Sequence, residues 1–266
     1  MHTTAAPPSR RAQRARPRRR VSVIGVIGEL LITVGVVVLL YVAWQMWIGD
    51  LIYAAEKNQV GAELSQEWQQ QAAASTPDAA SPTPSASAPA DAAAPIVVEP
   101  PVLPQPADAE TFGVMWIPRF GPDYHVPIAG GVSRPRTLDP IGIGHYPDTA
   151  MPGQVGNFAL AAHRTTFGKP FNRIADLHVG DAIVVETQEG WYTYRFRTLE
   201  YVTPDSVDVL LDVPRKPDVP AGGRYITMTS CSPMYAMTER IVAYGLFESF
   251  TPRADGPPAS LTTAVS

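Results

Sequence analysis

Apolar residues run from Val23 to Trp44 as VIGVIGELLITVGVVVLLYVAW, with Glu29 the one charge among these 22 residues. As a helix at ~1.5 Å per residue the run reaches ~33 Å, enough to cross a hydrocarbon core of ~30 Å. The pattern therefore predicts a transmembrane anchor over residues 21–49. Tyr41, Trp44 and Trp47 gather at its far end, where aromatic rings favour the headgroup zone. A cleaved signal peptide has a shorter apolar core of ~7–15 residues, so the anchor is expected to stay in place.

The pattern changes twice after the anchor. Residues 50–71 (DLIYAAEKNQVGAELSQEWQQQ) lack proline and favour helix formers, which predicts a short stalk helix with a weak apolar stripe. Residues 72–110 turn to Ala, Pro, Ser and Thr, with nine prolines, five acids and no base. Such a mixture buries too little apolar area to offset ordering entropy, so a disordered tether is expected, reaching ~34 Å as a flexible coil.

Residues 111–252 are the one stretch with the composition of a folded domain. Short runs rich in Val, Ile, Tyr, Phe and Thr, bounded by Gly, Pro and Asp, predict strands over Phe112–Ile117, Val126–Ala129, Asn157–Ala162, Ala182–Thr187, Tyr192–Tyr201, Tyr225–Ser230 and Arg240–Phe250. Gln188-Glu189-Gly190 between two of them reads as a hairpin loop with glycine in its last place. Helical turns are expected over Phe171–Leu177 and Asp205–Leu211. Many short strands with few helices imply an all-β sandwich or closed barrel. Residues 253–266 (RADGPPASLTTAVS) read as a flexible tail.

Charge sharpens this organisation. Residues 1–20 carry seven arginines and no acid, leaving 14 basic against 25 acidic residues in the other 246. The acidic remainder speaks against nucleic-acid binding, which needs a basic face. The arginines form a basic arm that the positive-inside rule keeps in the cytoplasm, so the chain is expected to be a single-pass cell-membrane protein with its folded domain outside. A single Cys excludes a disulfide framework and thiolate-rich metal sites. Metal-ligand spacings and phosphate-binding glycine loops are absent too, and no cofactor or metal is expected.

Cys231 ends the apolar run Tyr225–Ser230 and precedes Ser232-Pro233, a pocket-rim position for a lone thiol in an oxidising compartment. A small buried hydrophobe is the plain alternative. A nucleophilic thiol needs a partner, usually His. His163 ends the run Asn157–Ala162, whereas His125 and His178 read as solvated turn residues and His2 lies in the basic arm. His145, in Gly142-Ile143-Gly144-His145-Tyr146-Pro147, is the rival, since glycines before it allow close approach of a ligand. Arg240 opens the strand after Cys231; antiparallel pairing would set the two side by side, with the guanidinium placed to stabilise an oxyanion.

Asn157–Arg164, Thr227-Met228-Thr229-Ser230-Cys231 and Arg240–Gly245 together resemble the His, Thr-Leu-x-Thr-Cys and Arg motifs of sortases, in family order. Met228 stands where Leu is usual and Ser230 where Thr is usual. The stretch Gly144–Asn157 is most like class E, the housekeeping sortases of high-GC Gram-positive bacteria. The resemblance covers about residues 111–250 and implies a closed eight-stranded β-barrel with short helices and a groove across one face. It implies a membrane-anchored cysteine transpeptidase with Cys231, His163 and Arg240 as catalytic residues, and Tyr146, Thr229, Ser230 and His145 around the substrate. The implied substrates are secreted proteins with a Leu-Ala-x-Thr-Gly or Leu-Pro-x-Thr-Gly sorting signal, cleaved between Thr and Gly and passed to an amine of a peptidoglycan precursor (lipid II). Tyr146 is the residue associated with Ala at the second position. A sortase of class D or F and a non-catalytic membrane-tethered β-domain are the other readings.

Overall fold

The computed structural model describes residues 22–44, 49–75 and 98–262, and the chain divides into two compact units, residues 1–46 and 47–266. The basic arm, most of the expected tether and the last four residues lie outside the described residues. In the first unit, helix α1 (Val23–Ala43) carries no buried residue and is long and apolar enough to cross a membrane.

The second unit is a closed eight-stranded barrel. Its strands are β1 (Thr111–Trp116), β2 (His125–Gly130), β3 (Ile143–His145), β4 (Gly156–Ala162), β5 (Ala182–Glu186), β6 (Gly190–Val202), β7 (Arg224–Ser232) and β8 (Glu239–Pro252), closing in the order β1-β2-β3-β4-β7-β8-β6-β5. Alternation sends Met115, Phe158, Ile183, Tyr192, Tyr194 and Ile226 to a common interior. Each such side chain contributes ~1.5–3 kcal/mol on burial. The hairpin at Gln188–Gly190 closes through Thr187 N–H donating to the Gly190 carbonyl at 2.9 Å, with Gly190 at φ 152°.

Two pairings position the site. β4 runs parallel to β7 with Ala161 opposite Thr229, and β7 runs antiparallel to β8 with Cys231 opposite Arg240. The ends of β4 and β7 and the start of β8 therefore share one rim.

Helix α2 (Asp50–Ser75) lies on the outside of this barrel, not apart from it as a stalk. Its buried positions Lys57, Gly61, Ser65 and Trp68 recur at helical spacing and face the wall. A Cβ at Gly61 would overlap the His125 carbonyl, so only glycine lets α2 come this near. Ser65 Oγ donates to Glu186 Oε1 at 2.9 Å, and Asn58 Oδ1 accepts the His125 N–H at 3.0 Å.

The tether boundaries need correction. Helix α2 continues to Ser75, and residues 98–110, expected as disordered, run along the barrel. Tyr192 donates its hydroxyl to the Pro101 carbonyl at 2.9 Å, Gln105 donates to the Thr149 carbonyl at 2.7 Å, and Glu99 pairs with Arg224. Proline-rich extended chain has few donors to satisfy, so the barrel's polar side chains suffice to hold it. The tail also begins in order: Arg253 is fixed at the barrel wall, and helix α3 (Ala259–Thr262) brings Leu261 against Ala182, Val184 and Trp191.

Candidate active site

Where β4, β7 and β8 meet, a groove of about 620 Å³ opens, and Cys231, His163 and Arg240 all line it. Cys231 is half-buried, flanked by Ser230 and Ser232 at 3% exposure each. Its neighbours hold the strand end firmly: Ser230 Oγ donates to the Ala162 carbonyl at 2.8 Å, and Arg164 Nη1 donates to the Cys231 carbonyl at 3.3 Å. Cys231, at its strand end, borders the open groove.

His163 follows β4 directly and reaches the groove beside Cys231's strand. Its Nε2 lies 2.6 Å from Asp139 Oδ1, and its ring packs on Phe167 with centroids 5.3 Å apart. Burial holds its pKa below the usual histidine value; Asp139 opposes that shift, and the charges of Arg134 and Lys57 add to it. Burial thus favours the neutral form of the imidazole.

Arg240 is turned over its own loop, Nη1 donating to the carbonyls of Met237 at 3.1 Å and Glu239 at 2.9 Å. Arg134 and Arg164 also line the groove and, among the described residues, no carboxylate does, so it presents positive charge to whatever enters.

Tyr146 and Thr229 form one wall. Thr229 Oγ1 donates to the Leu160 carbonyl at 3.2 Å, so it accepts the Tyr146 hydroxyl proton at 3.0 Å. That bond fixes the phenol ring over the groove. Ser230, its hydroxyl committed to β4, forms the wall beside Cys231.

His145 corrects the sequence reading. It is 1% exposed, stacked on Phe158 at 5.2 Å and edge-on to Phe112, and it does not line the groove. Its Nε2 meets the Ala150 carbonyl at 3.1 Å and Thr149 Oγ1 at 3.0 Å, and burial pushes its pKa down to about 4. The preceding glycine serves the barrel, not a ligand: a Cβ at Gly144 would overlap the Gly131 carbonyl. His145 is a neutral structural residue that ties the β3–β4 loop to the core. His125, expected as a solvated turn residue, heads β2 with its ring 3.9 Å from that of Trp116, while His178 is exposed in a turn as expected.

Two residues of the site escaped the sequence. Asp139 sits in Thr137-Leu138-Asp139-Pro140, which looks like any turn aspartate. Arg164 is 8% exposed and braces the Cys231 backbone; its place next to His163 was visible, its contact was not. Among the described residues no group of three or more His, Cys, Asp or Glu is arranged to hold a metal ion.

Comparison with known proteins points to one family. Residues 115–248 match the family model described as Sortase domain. The chain is 35% identical over 262 residues to Sortase SrtE1 of Streptomyces coelicolor, covering 96% of this chain and 66% of that protein, so it spans just under two thirds of that relative's length. It is 27% identical over 269 residues to Sortase SrtE2 of the same organism, covering 98% and 96%. Among solved structures, sortase E1 from Streptomyces coelicolor with a tripeptide in the active site superposes with TM-score 0.55 at 39% identity, covering 59% of this chain and 99% of that one. The SrtA sortase from Actinomyces oris superposes with TM-score 0.58 at 36% identity, covering 61% and 93%.

Proposed function

The chain belongs to the sortase family of cysteine transpeptidases, and from that premise we propose that it is a class E enzyme that cleaves a Leu-Ala-x-Thr-Gly sorting signal between Thr and Gly. The observation that carries the reading is the register of the rim: Cys231 pairs with Arg240 across β7 and β8, and His163 faces the same groove from the end of β4.

The chemistry follows from these groups. Cys231 Sγ gives its proton to the free nitrogen of His163 and, as thiolate, attacks the threonine carbonyl carbon to form a tetrahedral oxyanion, which the Arg240 guanidinium stabilises. The intermediate collapses to a thioester as the Thr–Gly C–N bond breaks, and His163 delivers the proton that the departing glycine amine needs. An amine of a peptidoglycan precursor such as lipid II then attacks the thioester, gives a proton to His163, and returns Sγ as leaving group. The arginines of the groove place positive charge beside the developing oxyanion.

The class E assignment draws support from the similarity to SrtE1 and from Tyr146, whose ring Thr229 fixes over the groove. Localisation at the cell membrane, with the basic arm inside and the barrel outside, draws support from α1 and the seven arginines ahead of it.

Full-length protein in detergent, given paired Leu-Ala-x-Thr-Gly and Leu-Pro-x-Thr-Gly peptides with hydroxylamine to trap the thioester, tests this reading. Release of the glycine fragment with a threonine hydroxamate is expected, faster with Ala; intact peptides would refute it. In Tyr146→Ala the ratio of kcat/KM for the Ala peptide over the Pro peptide should fall by roughly 5–10-fold, the effect of one lost wall contact. An unchanged ratio would show that Tyr146 does not read this position.

A further inference from the structure

The imidazole of His163 is bonded at one nitrogen and open at the other. A carboxylate oxygen only accepts, so the 2.6 Å contact with Asp139 makes Nε2 the protonated nitrogen of the neutral ring. Nδ1 has no hydrogen-bond partner among the described residues. Asp139 thus selects the tautomer and leaves Nδ1 for proton exchange at the groove.

Asp139 is itself held from outside the barrel. It follows a wide helical turn, Arg134–Leu138, and its N–H donates to the Arg134 carbonyl at 2.8 Å. The carbonyls of Leu138 and Asp139 both accept from Lys57 Nζ of α2, at 3.3 and 2.8 Å. Lys57 is 5% exposed, and burial lowers its pKa to about 8 although Asp139 and Glu56 pull it up. An ammonium out of water costs free energy unless it is bonded, and these two carbonyls are its partners. Gly142 lies beside the stem: a Cβ there would crowd Val126 Cγ1 at 2.7 Å and make ordinary contact with Lys57 Cδ at 3.5 Å. Asn58 and Gly61, the next residues on this side of α2, dock on His125 and set the helix register on which the Lys57 contact depends. Arg134 lies 3.7 Å from Asp139 as an exposed, weakly held ion pair and does not replace the brace.

We propose that Asp139 is a positioning residue that sets the tautomer and orientation of His163, and that Lys57 braces Asp139 from α2, making this helix a working part of the active site. The inference rests on the reading of His163 as the proton carrier.

The test uses the full chain in detergent with 15N-labelled histidine, comparing wild type, Asp139→Ala, Asp139→Asn and Lys57→Met by the imidazole nitrogen shifts of His163 and by peptide kinetics. Wild type should show the Nε2–H tautomer above the titration of His163. Asp139→Ala should show mixed tautomers and lose ~10-fold or more in kcat, with KM within ~2-fold, the scale of losing a group that orients a catalytic or ligating histidine. Asp139→Asn, which keeps an acceptor, should restore the tautomer and part of kcat, whereas a merely structural aspartate would give the same deficit in both variants. Lys57→Met should lose kcat several-fold with partly mixed tautomers. An Nδ1–H tautomer in wild type, or an Asp139→Ala protein with unchanged tautomer and kcat, overturns the role of Asp139. A Lys57→Met protein indistinguishable from wild type overturns the brace. The tautomer is read without substrate, so its expected response in a wild-type protein that cleaves no peptide would uphold the Asp139–His163 relation and remove the sorting reaction instead.

Discussion

Replacing Cys231 with alanine should abolish cleavage of the sorting-signal peptide, by at least ~10⁴-fold in kcat, while the Tm stays within ~2 °C of wild type. The size of the first effect follows from covalency. Without Sγ there is no thioester, and Arg240 and His163 are left to assist only the slow direct attack of water or amine on an amide. The smallness of the second follows from position. Cys231 is half-buried at a strand end on an open groove, so losing one sulfur creates no closed cavity. The bonds that hold this end of β7 belong to other atoms: Ser230 Oγ to the Ala162 carbonyl, and Arg164 to the backbone carbonyl of residue 231. Peptide turnover by chromatography, hydroxamate formation and a thermal melt check the three quantities together. A variant that still forms hydroxamate would remove Cys231 as nucleophile, and one that melts well below wild type would show that the thiol is packed as core.

The same rim explains which parts of the molecule were legible in the sequence. Strands β6 and β8 are long alternating runs, and the glycine ending Gln188–Gly190 marks the hairpin from β5 into β6, so periodicity located them within a residue or two of their observed ends. Strand β3 was missed because it has three residues, one of them glycine; parallel pairing to β2 and antiparallel pairing to β4 make it a strand, not its own pattern. Its Gly-Ile-Gly-His spelling was read as a ligand approach. The tightness there serves chain packing, and His145 went into the core with it.

Helix α2 failed for a related reason. Its docking face is made of Lys57, Gly61, Ser65 and Trp68, at helical spacing but with only one large apolar residue, so a search for hydrophobic periodicity returns a solvated stalk. The interface works by hydrogen bonds and close backbone approach, neither of which leaves an apolar stripe. Asp139 shares this invisibility. Its partner His163 is 24 residues away and its brace Lys57 is 82 residues away, and only the closed barrel brings them together. Cys231, His163 and Arg240, which line one groove, were legible because each sits at a strand end, a local property of sequence; the groups that contact them from elsewhere in the chain are nonlocal.

Glu186→Ala should be the most destabilising single change in the folded unit, by ~3–5 kcal/mol, the cost of leaving one member of a buried ion pair without the other. Glu186 is wholly buried at the end of β5. Its Oε1 accepts from Ser65 Oγ at 2.9 Å and Arg253 Nη2 at 3.0 Å, and its Oε2 accepts from Trp116 Nε1 at 2.8 Å. The carboxylate therefore ties together α2, β1, β5 and the segment after β8. Arg253, 6% exposed, is held between the rings of Trp191 and Trp68 at 4.6 and 5.7 Å and also donates to the Thr187 and Gln188 carbonyls. Without Glu186 its charge has no counter-ion there, and the indole N–H and the Ser65 hydroxyl lose their acceptor. At ~2–4 °C per kcal/mol for a unit of this size, the Tm should drop by ~6–20 °C. Glu186→Gln should cost less, because its amide oxygen keeps one acceptor while the charge is lost. The paired change Glu186→Leu with Arg253→Met separates the two contributions: if the penalty is the stranded charge, the double variant should recover much of the Tm lost in Glu186→Ala. If it melts as low as Glu186→Ala, the hydrogen bonds to Ser65 and Trp116 hold α2 and β1 in place, and the ion pair contributes little.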